Sequence, residues 1–406
     1  MRKLSRTLHR AAKACYHLAK NIAETFLNLI HRRILKPSLE KKFEYLTILL
    51  AIMSIALSCY FAYLAERSSN RMEIISKAIL YSVNKEFADT IGVNVSDIED
   101  PVLFAEMWIA FKSLDQTLLE TKIHEYERKY PNNAHAYFIL GWYARLNGSC
   151  DEAIQYYSKS IELNRDYAFA YNNRADAKDS KGDHDGAISD YNRAIEINPG
   201  YFVAFDNRGR AKFNKGDYEG AIIDFTIAIE LNPNYSRAYN NRAGTKIKMG
   251  DLDGAIADYN RAIQLEPSYA IAYNNRGFTR QQKGDYDGAI IDYTIAIQLK
   301  SDFAKAYNNR GYAKYKKGDN AAAIADFSKS IELGNPEPWQ PYCNRGFARL
   351  DGHDYTNAIA DFSKAIELKP DFAPAFKGRA TAKRKMGDKN AAQADSLQAE
   401  RLEKMP

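Results

Sequence analysis

The chain has 406 residues, of which 27% are charged, and its formal net charge is +6. That length argues against a single compact core. Residues 1–44 hold eleven Lys/Arg and three Asp/Glu, so the other 362 residues sum to −2 and carry no net charge that would draw nucleic acid.

The chain opens on that basic tail. Leu4, Leu8, Ala11, Cys15, Leu18, Ile22, Phe26 and Leu29 recur at three- and four-residue steps, with Arg2, Lys3, Arg6, Arg10, Lys13 and Lys20 between them. The pattern suits a basic amphipathic helix on an anionic leaflet. It also suits a positive topogenic tail, or an organelle transit peptide, because residues 1–23 contain no acid.

Residues 45–65, from Tyr45 to Ala65, run 21 positions without a charge. At about 1.5 Å per residue such a helix spans roughly 31 Å, enough for a bilayer core of about 30 Å. A single transmembrane helix is expected there. The positive charge before it directs the N-terminus to the cytoplasm and the rest of the chain to the opposite side, periplasmic in a bacterium. An organelle inner membrane, or a cytoplasmic location for the remainder, are the alternatives. Residues 66–133 read as a helical spacer and cap. Helical runs near 102–113 and 115–129, before the turn Tyr130-Pro131-Asn132-Asn133, form a worn copy of the unit repeated beyond residue 134.

From 134 to 406 that unit recurs about eight times, the last as a cap. An Asn-Arg pair marks six copies, at Asn173/Arg174, Asn207/Arg208, Asn241/Arg242, Asn275/Arg276, Asn309/Arg310 and Asn344/Arg345, spaced by 34 and finally 35 residues. Each copy holds two helical runs around a Gly-Asp turn, as at Gly284-Asp285. The glycine suits a left-handed helix end and the aspartate an N-cap. Prolines 199, 233, 267 and 370 fall between copies. A large residue in the first run (Tyr171, Phe205, Tyr239, Tyr273, Tyr307, Tyr342, Phe376) is followed four later by Gly or Ala. The second run repeats the scheme with Ala then Tyr or Phe, as in Ala289 and Tyr293. Large against small at helical spacing makes an interlocking antiparallel helix pair. A residue is inserted around Gly334–Trp339, and His353 stands where the turn glycine belongs. The first copy has Leu140 in place of the arginine.

These residues resemble the tetratricopeptide repeat family, whose period and pattern of aromatic, Gly/Ala, Gly-Asp, Ala, aromatic and Pro they reproduce. The resemblance implies an all-α solenoid, a right-handed superhelix of antiparallel helix pairs, here behind one transmembrane helix.

Each Arg of the Asn-Arg pairs has an Asp sixteen residues on, from Arg174/Asp190 to Arg345/Asp361, at the offset expected of an ion pair inside each unit. The asparagines Asn173, Asn207, Asn241, Asn275, Asn309 and Asn344 are the candidate binding residues. The resemblance puts this phase on the concave groove, where amides can hold the backbone of an extended peptide. Ordinary soluble groove positions are the competing reading. Asn274 and Phe278 are expected to be exposed, and the variable neighbours Arg210, Phe213, Lys248, Phe278, Tyr312, Tyr315, Lys316 and Phe347 to tune what binds, with ordinary solvated positions as the alternative. The family's clamp for chaperone tails is absent, since Asn172, Asn240, Asn274, Asn308 and Cys343 hold its lysine position. The cysteines make no CxxC, the histidines fall at no metal-ligand spacing, and no phosphate loop or nucleophile motif occurs. No enzyme activity, cofactor or nucleic-acid partner is expected. The function expected is capture of a partner protein or peptide at a membrane; a self-associating scaffold is the alternative.

Overall fold

The computed structural model describes residue 98, residues 100–112 and residues 115–404. The expected basic tail, the expected transmembrane helix at 45–65 and the spacer up to residue 97 lie outside the described residues. Among the described residues no helix is long and apolar enough to cross a membrane.

Among the described residues every element is an α-helix, and the helices fall into two compact units that part between Ile197 and Asn198. Among its described residues the first unit holds three pairs: α1 (Pro101–Lys112) with α2 (Gln116–Lys129), α3 (Ala134–Leu146) with α4 (Cys150–Leu163), and α5 (Ala168–Ser180) with α6 (His184–Ile197). The second unit begins with α7 (Phe202–Lys215) and α8 (Tyr218–Leu231), α9 (Ser236–Lys248) and α10 (Leu252–Leu265), then α11 (Ala270–Gln282) and α12 (Tyr286–Leu299). It continues with α13 (Ala304–Lys316) and α14 (Asn320–Glu332), α15 (Trp339–Asp351) and α16 (Tyr355–Leu368), and ends with α17 (Ala373–Lys385) and α18 (Lys389–Glu403).

The turns form as the residues dictate. Asp217, Asp251, Asp285, Asp319, Asp354 and Asp388 each accept a hydrogen bond from the backbone N–H three residues on. Each such cap contributes about 1 kcal/mol. Gly284 ends α11 at φ 83°, a conformation that costs any residue with a Cβ. At the corresponding corner after α15, Gly352 stays in the ordinary region and His353 takes φ 62° instead.

Packing follows the large-against-small scheme. Tyr293, Phe327 and Phe362 are completely buried in their second helices. A Cβ on Gly311 would stand 2.8 Å from the Phe327 ring, and one on Gly209 2.8 Å from Phe225, so the smallest residues admit these rings. In the first unit Leu140 joins an apolar cluster with Phe104, Met107, Trp108, Phe138 and Tyr157, and Tyr156 packs against it. Leu140 and Tyr156 hold the places that Arg and Asp hold in later copies, so apolar packing replaces the ion pair there.

The inserted residue near Gly334 is absorbed by a longer connection between α14 and α15. Gly334 turns at φ 71°, buried Asn335 donates to Ser330 Oγ at 2.9 Å, and its Oδ1 accepts from the Glu337 N–H at 2.9 Å. Within the second unit, the first helix of each pair touches its own partner and also the first helix of the next pair, from α7 through α17.

Candidate peptide-binding face

A first helix of the second unit has three covered sides and one open side. On α11, Arg276, Gly277 and Arg280 face α12, where Asp292 and Tyr293 meet them. Ala272 and Thr279 are buried on one flank and Asn274 on the other. Ile271, Asn275, Phe278 and Gln282 remain. At about 100° per residue these four lie within about 60° of one another. Ile271 is 48% exposed and Phe278 40%, as befits an open stripe.

Five of the six candidate asparagines occupy the same stripe position on α7, α9, α11, α13 and α15, and Asn173 sits at the equivalent place on α5 in the first unit. Asn173 donates to the Phe169 carbonyl of its own helix at 2.9 Å. The others belong to a ladder between copies. Asn241 Nδ2 donates to Asp206 Oδ1 at 2.9 Å, and Asn275, Asn309 and Asn344 donate to the Oδ1 atoms of Asn240, Asn274 and Asn308, each at 3.1 Å. Asn207, buried, accepts from Arg237 Nη2 at 2.7 Å. The ladder fixes each amide's rotamer. A primary amide carries two N–H groups, and one such bond uses only one of them.

This arrangement corrects one expectation. Asn274 is only 3% exposed, because it is the acceptor for Asn309 and lies between helices. Phe278 is open as expected. Asp206 takes the place of Asn274 two copies earlier and has no exposed surface. Arg237 Nε approaches it at 2.9 Å. Burial nonetheless pushes the Asp206 carboxyl up from the ordinary carboxylate value, against the pull of Arg237.

The ion pairs expected at a sixteen-residue offset form throughout, as bidentate bonds: Arg276 Nε and Nη2 reach Asp292 at 3.0 and 2.6 Å. A further pair, Arg379 with Asp395, closes the array. Two contacts were not anticipated. A second cation four residues after each Arg binds the same carboxylate, as Arg280 does Asp292 at 2.8 Å and Lys314 does Asp326 at 2.7 Å. The Arg Nη1 also reaches back to the preceding second helix, from Arg276 to Asn260 at 2.6 Å and from Arg310 to Thr294 at 3.2 Å. The repeated Lys or Arg at that spacing is visible in the sequence. Each guanidinium also lies over the ring three residues before it, as Arg276 does over Tyr273 at 5.5 Å. These arginines are architecture.

Among the described residues no group of three or more His, Cys, Asp or Glu side chains converges to hold a metal ion. Cys150 and Cys343 are free thiols.

Family models described as tetratricopeptide repeat or TPR repeat match residues 121–168, 168–201, 204–235, 245–284, 280–318, 304–333 and 340–372, together more than half of the chain. A solved structure of MamA is 30% identical over 39% of this chain and 93% of its own, with a TM-score of 0.36. A tetratricopeptide repeat protein from Parabacteroides merdae is 20% identical over 58% of this chain and 93% of its own, at TM-score 0.47. The APC/C hetero-tetramer Cut9–Hcn1 matches 88% of this chain and 72% of its own, at 16% identity and TM-score 0.51, a likeness of fold alone. No curated protein matches. The repeat models match most of the helix pairs: this chain belongs to the tetratricopeptide repeat family.

Proposed function

We propose that the chain captures a partner protein, or an extended peptide of one, along the open stripe of its first helices, and that residues 1–65 anchor it to a membrane. The observation that carries the capture reading is the amide column: Asn241, Asn275, Asn309 and Asn344 stand on four successive first helices, held by side-chain bonds between copies, with Asn207 buried against Arg237 at the near end. Pre-oriented amides lose little freedom when they bind a peptide backbone. The anchor rests on the charge-free run at 45–65 and the basic flank before it, with the N-terminus cytoplasmic and the array across the membrane.

The test is replacement of Asn241, Asn275 and Asn309 by Ala, with partner capture and helical melting measured on the same samples. Capture lost beyond what the melt accounts for supports a binding role. A lowered melt with unchanged capture would assign the column to architecture and refute its role in binding. A reporter fused after Pro406 tests the topology, and activity confined to the cytoplasm would reverse it.

A second reading is self-association through the second helices. Ile223 and Ile291 favour it, 58% and 60% exposed on α8 and α12. Sedimentation of the detergent-solubilised chain as a monomer at high concentration counts against it.

A further inference from the structure

The open stripe of the second unit is not charge-balanced. Residues 198–406 contain 31 Lys/Arg and 26 Asp/Glu. Six of those cations (Arg210, Arg237, Lys248, Lys305, Lys316, Lys385) and one of those acids, Asp351, occupy stripe positions, so the charges elsewhere in the unit cancel. Arg237 is already offset by Asp206 at 2.9 Å, and Asp351 accepts from the Tyr315 hydroxyl at 2.7 Å.

Lys248, Lys305, Lys316 and Lys385 are exposed, and among the described residues none has a carboxylate within ion-pair distance. Lys283 and Lys317, off the stripe, pair with Asp253 and Asp287 of the preceding copy. Off-stripe cations such as Lys300 and Lys389 are likewise exposed without a carboxylate partner, so what sets the stripe apart is its balance, six cations against one acid in a unit that otherwise cancels, which focuses positive field on that face.

The row is also ordered. Cations lie on α9, α13 and α17, while α11 presents Ile271 and Phe278 and α15 the outer part of Phe347, a half-buried ring packed on Phe362. Tyr312 on α13 sits beside them, with Lys316 Nζ 5.4 Å from its ring. Neighbouring first helices touch, so their axes are about 8–10 Å apart. An extended chain advances about 3.3 Å per residue, so one helix step takes about three residues.

From this we infer that the partner segment is acidic and extended, with large apolar residues alternating with clusters of Asp or Glu about three residues apart. The acids face Lys248, Lys305 and Lys316, and the apolar side chains enter beside Phe278 and Phe347. The inference rests on the capture reading above and adds the chemistry of what is captured. A peptide fits better than single-stranded nucleic acid, because the stripe's amide column matches a peptide backbone and α11 and α15 offer no cation to a continuous phosphate chain.

The test uses the full chain in detergent and a fluorescent peptide of about 15 residues, long enough to cross five helix steps. In it, acidic pairs alternate with single phenylalanines about three residues apart. Fluorescence polarisation should show binding that weakens with salt. The variant K248E/K305E/K316E should bind it about tenfold more weakly or worse, and should gain affinity for the same peptide with Lys in place of its acids. Its helical melt should match the parent, since all three lysines are exposed. Equal binding of the acidic and lysine peptides by the unaltered chain overturns the charge assignment and leaves the capture reading standing. Tighter binding of an oligo-dT of similar length overturns it in favour of nucleic acid. Failure of the folded chain to bind either peptide overturns both readings.

Discussion

Removing Asp292 should damage the array far more than removing the arginine that faces it. Asp292 has no exposed surface, while Arg276 and Arg280 keep 14% and 27% of theirs. The carboxylate receives two bonds from Arg276, at 3.0 and 2.6 Å, and one from Arg280 at 2.8 Å. In Asp292→Ala Arg276 loses its counter-charge and Arg280 keeps only Asp285 at 3.9 Å, leaving two guanidinium groups across a half-buried gap, a situation that costs about 3–5 kcal/mol. In Arg276→Met the carboxylate keeps Arg280, and the methionine replaces much of the lost alkyl packing against Tyr273. The losses are the arginine's hydrogen bonds to Asp292 and Asn260, about 1.5–3 kcal/mol, and the smaller contact of its guanidinium with the Tyr273 ring. The double variant should cost no more than Asp292→Ala alone, because the arginine left stranded in the single variant is then absent. Urea unfolding followed by far-UV circular dichroism measures the totals. Hydrogen exchange in α11 and α12 localises them, which matters because stability in a repeat array is summed over neighbours. Equal losses for Asp292→Ala and Arg276→Met would refute the shared carboxylate, since Arg280 would then be giving Asp292 no support.

Four further outcomes are expected. Asp206→Asn with Arg237→Ile reproduces the Asn240 and Ile271 arrangement and should unfold within about 1 kcal/mol of the parent or above it. Because burial raises the Asp206 pKa, the folded state holds its proton longer than the unfolded one; parent stability falls as pH climbs from the ordinary carboxylate value to the raised one, and Asp206→Asn should remove that slope in urea midpoints measured across pH. His353→Gly relieves a left-handed residue at φ 62° and should raise stability by about 0.5–1 kcal/mol in the same unfolding assay, with no change meaning the His353–Tyr355 contact offsets the strain. Cys343 is 3% exposed and burial pushes its thiol up to about 12, so peptide mapping after maleimide treatment should find Cys150 labelled in the native chain and Cys343 only in denaturant.

Much of this molecule is legible in its residues taken one copy at a time. The period of 34 announces helix pairs, Gly284 and Asp285 mark where one helix ends and the next begins, and Gly311 against Phe327 states which faces lock together. The Arg and Asp sixteen apart declare their own pairing. All of these are relations within a copy, or within two turns of one helix, and helical periodicity encodes such relations directly.

Relations between copies were decided by the tertiary structure. Asn274 and Asn275 are chemically identical neighbours, yet one is buried as an acceptor and the other lies on the open stripe. Sequence spacing locates each on the circumference of α11, but not which adjoining helix covers it. The amide ladder joins residues 35 or 36 apart, and Arg276 reaches Asn260 in the copy before, because helix packing brings those side chains within bonding distance. Nor does the repeat pattern mark the division between Ile197 and Asn198, since the 34-residue period passes from Asn173 to Asn207 unbroken. The sequence by itself determined the unit and its internal locks; the stacking of units determined which polar residues were spent on holding neighbours together and which were left facing outward.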